Sequence, residues 1–283
     1  MQQIHSSEAR AFLNRSLSQT EKLQMNLFDL ILEKEDALCW SDGQNALAAQ
    51  SGRQTPLWLW LRESLPSAAM EQTALWLAEQ VKSCPELRFS ADPNCCAGLL
   101  EHVERLTGQS VRTDMKMNAY ALLKLKEPAC QGRLLTPARE HRAAMAALLR
   151  QMTEDAEGQI IPESAALDFA QAMIGSDRLF LWEDGGEICA MAMIAHEGQN
   201  AARINTVVTE RKCRGRGYAG MLVSQLCRKI MARGAAPMLY ADADCPASNR
   251  VYQKSGFEKI GEISNYRWEK TMGEPLPSGS HRS

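Results

Sequence analysis

The residues of this chain best suited to chemistry lie in two stretches: Thr206 to Ala219, TVVTERKCRGRGYA, and Leu239 to Phe257, LYADADCPASNRVYQKSGF. In the first, an apolar β-branched run over 204–209 stops at a charged turn, Glu210 to Lys212, and RGRGYA follows. Leu222, Leu226 and Ile230 then recur one turn apart, the spacing of a helix face. Strand, glycine loop and helix start are how a chain presents backbone N–H groups to phosphate. Gly215 and Gly217 remove Cβ atoms where backbone must approach an anion. A helix beginning near Tyr218 leaves its first N–H donors unpaired and adds a positive dipole end. Arg214 and Arg216 add charge. Two small residues after a strand more often form an ordinary surface turn, so the second stretch has to decide. It offers Asn249 and, three residues on, Tyr252, followed by Gly256 and Phe257. A phenol, with a reference pKa of about 10, stays protonated at neutral pH and can give a proton to a leaving group. The competing reading is a plain helix end with Gly256 as its C-cap.

Taken together, the two stretches resemble the GCN5-related N-acetyltransferases (GNAT). That family's loop has the form Arg/Gln-x-x-Gly-x-Gly/Ala, matched by Arg214, Gly217 and Ala219, with Gly215 as the usual additional glycine. Asn249, Tyr252, Gly256 and Phe257 occupy the places of its second signature. Asp242, Pro246, Ser248 and Asn249 narrow the resemblance to the subgroup related to glycine N-acyltransferase, although Cys245 stands where that subgroup has Asn. The match is specific over residues 133–268 and faint before them.

The resemblance implies an α/β (α+β) fold with a mixed central sheet flanked by helices. It also implies an acyl-CoA-dependent N-acyltransferase with acetyl-CoA as co-substrate. The acceptor it points to is a primary amine of a small molecule. Two alternatives stand beside this: acetylation of a protein Lys or N-terminus, and a non-catalytic acetyl-CoA-binding sensor. In the family's arrangement the pyrophosphate sits on the N–H groups of Arg214, Gly215, Arg216, Gly217, Tyr218 and Ala219. Val207 and Thr209 pair with the pantetheine amides as if the ligand were a strand. The N–H near Val208 is the oxyanion donor, a contribution of about 2.7–4 kcal/mol in enzymes with such a group. Tyr252 is the general acid, and Asn249 bonds the pantetheine and orients its helix. The general base is not legible. His196, Glu197 and Glu210 lie near strand ends, each more readily read as an exposed polar residue than as a base. Cys213 borders the loop, but a nucleophilic Cys needs a positioned His, and none is readable.

Composition narrows the partners. A formal charge of −2 over 283 residues offers no basic excess for nucleic acid. No apolar run approaches a membrane span, and the first ten residues lack a signal-peptide layout. The nine cysteines, without C-x-x-C or Cys/His metal spacing, read as free thiols of a cytoplasmic protein with no metal. The reading leaves room for a homodimer.

The elements that must position these residues follow from periodicity. Residues 7–36 read as helical, with Ser7 as a first cap and Ser18 with Glu21 as a capping box. Residues 37–40, 45–50 and 56–61 read as a three-stranded meander, in which Trp58 and Trp60 are core. A helix to Cys84-Pro85, a strand at 87–89, a helix over 93–107 and a strand over 115–125 complete the first part. This order matches the back half of an acetyltransferase sheet without its glycine loop. It predicts a tandem: a degenerate GNAT-like copy at 1–128, a catalytic copy at 129–271 and a disordered tail at 272–283. In the second copy the pattern predicts a strand over 133–136 and helices over 139–152 and 163–173. A hairpin turns at Asp184-Gly185-Gly186, and the last strand falls over 264–270.

Overall fold

Glycine, proline and Asx turns cut the chain into short elements, and the computed structural model describes residues 1–198 and 200–270. The tail at 272–283 lies outside the described residues. In chain order, β1 (Gln2–Ile4) precedes α1 (Ser6–Ser16), α2 (Gln19–Gln24) and α3 (Leu27–Leu32). The capping box forms: Glu21 N donates to Ser18 Oγ at 3.2 Å, and Ser18 N donates to Glu21 Oε2 at 2.8 Å. The first helix starts earlier than expected, because His5 is its cap and accepts from Ser7 N at 3.3 Å. The meander is β2 (Leu38–Ser41), β3 (Ala46–Gln50) and β4 (Leu57–Leu61). After it come α4 (Ser67–Ser83), β5 (Arg88–Ala91), α5 (Pro93–Thr107) and β6 (Gln109–Leu122). Gly108 closes α5 in the left-handed region at φ +66, where a Cβ would be strained.

The second part runs β7 (Arg133–Leu135), α6 (Arg142–Glu157), α7 (Glu163–Met173), β8 (Leu179–Asp184), β9 (Glu187–Glu197) and β10 (Ala201–Thr209). It ends with α8 (Tyr218–Ala232), β11 (Ala236–Asp242), α9 (Pro246–Lys254) and β12 (Phe257–Lys270).

Two compact units result. One holds Met1–Leu17, Ile31–Lys116 and residues 263–270; the other holds Ser18–Leu30 and Met117–Glu262. The strand order is β1-β2-β3-β4-β5-β12 in the first and β7-β8-β9-β10-β11-β6 in the second. Each has one parallel pair among the pairings described, β4 with β5 and β10 with β11. The same sequence of strand, helix, parallel strand, helix therefore occurs twice, which is the expected tandem. A cut at 128/129 does not follow the packing. β6 closes the first half of the chain, yet Met117 to Ala121 pair with Asp242 to Met238 of β11. The final strand β12 pairs Ser264 to Arg267 with Ala91 to Arg88 of β5.

The first unit buries Leu57, Leu59, Leu77, Phe89 and Leu99, with the Phe89 ring stacked 4.8 Å from Tyr266. Trp58 and Trp60 are buried as core residues, and Trp60 meets Phe12 edge-on at 5.6 Å. The second unit is covered on both faces. Ile204, Leu222, Leu226 and Leu239 form one core, and Met145, Leu181, Met191 and Val208 the other.

Candidate active site

The strand that leads to the glycine loop is open on one side. β10 pairs with β11 over Ala201 to Ile204 only, so residues 205–209 continue without that neighbour. On its other side the ladder to β9 shifts register between Asn205 and Val208. Thr206 sits there at φ +53, a left-handed conformation that costs an L-residue about 1–2 kcal/mol. Past the shift, Glu210 N donates to Cys189 O at 2.9 Å. Alternation then makes Thr209–Ala190 a non-hydrogen-bonded pair and Val208–Met191 a hydrogen-bonded one. The amides of Val207 and Thr209 therefore face the open side, as a pseudo-strand requires. Val208 differs from expectation: its N–H faces β9, and the open-side donor is Val207.

A clamp that the sequence did not reveal holds the end of this strand. Gln151 on α6 donates through Nε2 to Thr209 O at 2.9 Å and accepts from Arg211 N at 3.1 Å. Arg214 Nε also donates to Thr209 O, at 3.3 Å. Asp155, one turn beyond Gln151, takes Arg211 at 2.6 Å and also Arg214. Arg211 first and Arg214 second hold the Asp155 carboxyl below its usual pKa. The charge that Arg214 adds beside the loop is thus paired with α6.

Gly215 and Gly217 adopt φ +81 and +88. Gly217 is the N-cap of α8 and supplies no side-chain bond, so the donors of the first turn are open to an anion. Tyr218 is buried, and its Oη donates to Asp184, which raises the phenol pKa. Only its backbone is left for a ligand, as for Ala219 beside it. Arg216 is raised mainly by Tyr218. Small residues on α8 also admit the connector from β6 to β7: a Cβ on Gly220 would stand 3.1 Å from Pro128 Cγ.

Tyr252 is 7% exposed, with its ring 6.3 Å from those of Tyr120 and Phe257. Its hydroxyl has no hydrogen-bond partner among the described residues. Burial, with a smaller contribution from Cys245, pushes its pKa above the usual tyrosine value. Asn249 departs from expectation. Its Oδ1 accepts from Tyr120 Oη at 2.9 Å and Asn118 Nδ2 at 3.0 Å. Its Nδ2 donates to Asp242 O at 2.7 Å and Cys245 O at 2.8 Å. Two donors and two lone pairs are all engaged within the protein, which leaves nothing for pantetheine. Asn249 ties α9 to β11 and β6.

The base candidates separate. Glu197 pairs with Arg233 at 2.6 Å, and Glu210 accepts from Lys212 N at 2.8 Å as a cap. His196 is buried, opposite Arg203. Burial pushes the Cys213 thiol up to about 11, away from nucleophilic use. No group of three His, Cys, Asp or Glu among the described residues could hold a metal, and no helix among them is long and apolar enough to cross a membrane.

The first unit lacks this chemistry. Aligning Pro93 with Pro246, each at the start of its helix, puts Cys96 at the place of Asn249 and Leu99 at that of Tyr252. RESLP, residues 62–66, replaces the glycine loop. A cavity of ≈ 480 Å³ in this unit, lined by Glu8, Arg15, Asp42 and Gln72 among others, has its Asp42 carboxylate engaged by the N–H groups of Gln44, Asn45 and Ala46.

Comparison with known proteins agrees with this geometry. Residues 142–257 match the Acetyltransferase (GNAT) family. Among solved structures, a GNAT-family acetyltransferase from Colwellia psychrerythraea superposes with a TM-score of 0.60 at 13% identity, covering 95% of this chain and 100% of its own. A Drosophila protein gives 0.58 at 13% identity, covering 95% and 98%. A GCN5-related N-acetyltransferase from Sphaerobacter thermophilus gives 0.55 at 18% identity, covering 81% and 78%. At such identities these likenesses establish the fold. No curated protein sequence matches the chain.

Proposed function

We propose that this chain, which carries a GNAT acetyltransferase domain over residues 142–257, is an acyl-CoA-dependent N-acyltransferase. Its acceptor on this reading is the primary amine of a small molecule. The observation that supports it best is the edge of β10 over 205–209, left by β11 and engaged at the Thr209 carbonyl, which leads through residues 210–217 into the uncapped, glycine-started helix α8. A flat amide-bearing arm ending in a pyrophosphate fits an open strand edge followed by a helix N-terminus. Acetyl-CoA, the co-substrate, supplies the acetyl group as a thioester.

The chain's own residues then divide the work. The N–H groups from Arg214 to Ala219 hold the pyrophosphate, with Gly215 and Gly217 admitting its close approach. Val207 and Thr209 present amides to the pantetheine arm, and on this reading the Val207 N–H serves as the oxyanion donor. Tyr252 keeps a proton at Oη for the departing sulfur, and burial favours that protonated form. Asn249 holds the helix that carries Tyr252.

Thiol release from acetyl-CoA, followed with a disulfide reagent against a panel of small amines and of peptides, tests this reading. Release with small amines is expected. Release with peptides alone would replace the acceptor assignment. Calorimetric binding of acetyl-CoA without release by any amine would make the protein a sensor.

A further inference from the structure

The site of the second unit is completed by a strand from the first half of the chain. We infer that Tyr120 and Asn118, both on β6, are positioning residues for this site, acting through Asn249. The inference rests on the acyltransferase reading above for its kinetic consequence, although its geometry stands independently.

Three observations carry it. First, Asn249 is nearly buried and its Oδ1 has two donors, both from β6: Tyr120 Oη at 2.9 Å and Asn118 Nδ2 at 3.0 Å. Its other amide atom is spent on Asp242 O and Cys245 O, which fixes the start of α9 to the end of β11. If both β6 donors were lost, Oδ1 would be a buried acceptor without a partner, and the amide would turn to find one. Second, Tyr120 also bears directly on the helix it orients. It is 1% exposed, its ring lies 6.3 Å from that of Tyr252, and Gln253 Nε2 donates to its Oη at 3.5 Å. Its own place is set by pairing with Leu239 on β11. Third, the first unit holds the same device in reduced form. Tyr266 of β12 meets Cys96 at 3.5 Å, where the second unit has Tyr120 on Asn249. A thiol is a weak partner, and Leu99 stands where Tyr252 would be. The strong version of the contact therefore occurs in the unit that has a phenol to aim.

This assigns the first half of the chain a part in the chemistry. It supplies the donors that set the angle of α9 and so the position of Tyr252 Oη, while touching no reacting atom itself.

Four full-length variants test the inference: Tyr120→Phe, Asn249→Ala, the pair combined, and Tyr120→Phe with Asn118→Leu. Thiol release and amide hydrogen exchange of α9 are measured on each. Tyr120→Phe should lower kcat several-fold, with Asn118 still holding Oδ1, and Tyr120→Phe/Asn118→Leu should lower it by tenfold or more. Exchange over residues 249–254 should accelerate in step. Tyr120→Phe added to Asn249→Ala should cost no further activity, because both changes break one path. Multiplying losses in that double variant would overturn the inference, since they would mean that the Tyr120 hydroxyl acts by a route that does not pass through Asn249, such as its contact with Gln253. If wild-type protein shows no turnover with any amine, the acyltransferase reading fails, and exchange then decides: unchanged α9 protection in Tyr120→Phe/Asn118→Leu overturns the positioning role.

Discussion

Tyr252→Phe separates structure from chemistry. The ring packs between Tyr120 and Phe257, and the substitution keeps that packing. The hydroxyl it removes makes no hydrogen bond among the described residues. No protein bond is lost with it, so deleting it should leave thermal stability about unchanged. Activity should respond in the opposite direction. General acid–base assistance is worth about 10²-fold at its lower end, or about 2.7 kcal/mol of barrier, so kcat should fall by that factor or more. Acetyl-CoA affinity should hold, because the loop from Arg214 to Ala219 is untouched. The pH profile adds a second readout. Burial raises the Tyr252 pKa, so the protonated form persists above the ordinary tyrosine value of about 10. The wild-type rate should therefore stay level through that pH, with any alkaline fall beyond it, and the Phe variant should lose that fall. Steady-state thiol release across pH, with a melting curve for each protein, measures both. A folded Phe variant with wild-type kcat would refute the assignment and leave water as the proton source.

Other outcomes follow from the glycines and the thiols. Gly217→Glu should abolish acetyl-CoA binding by calorimetry while the protein stays folded: φ +88 costs a side chain about 1–2 kcal/mol, the new Cβ lies 3.7 Å from Cys130 Cβ, an ordinary contact, and the carboxylate repels pyrophosphate. Gly256→Ala should destabilise by about 4 kcal/mol or more and lower Tm by roughly 10 °C, because its Cβ would lie 1.7 Å from the Lys124 carbonyl oxygen at φ +96. Gly43→Ala, at φ +84 but with open space around it, serves as the control and should cost only about 1–2 kcal/mol. Burial pushes Cys39 and Cys96 up to about 11 and Cys227 up to about 12, so at pH 8 these thiols should resist a disulfide reagent until denaturant is added. Rapid labelling of Cys227 in folded protein would contradict that.

What could be read from the chain alone was local. The Ser18–Glu21 capping box, the Gly108 helix stop and the hairpin at Asp184-Gly185-Gly186 depend on residues within a few positions of one another. The loop from Arg214 to Ala219 was legible for the same reason, since glycine spacing and a helix start are written consecutively. So was the repeated order of strands and helices, because periodicity needs no knowledge of partners. The tertiary structure decided everything that depends on distant pairs. Gln151 reaches the carbonyl of Thr209 from 58 residues away, and Asp155 reaches Arg214 from 59. Tyr120 reaches Asn249 across 129. Which way the Val208 amide turns was settled by one register shift and the left-handed Thr206, neither of which has a composition signal. The exchange of β6 and β12 was hidden most deeply. A strand's sequence records which of its faces is apolar, but its backbone hydrogen-bonding groups are the same in every residue except proline, so its neighbour is chosen only when the sheet assembles.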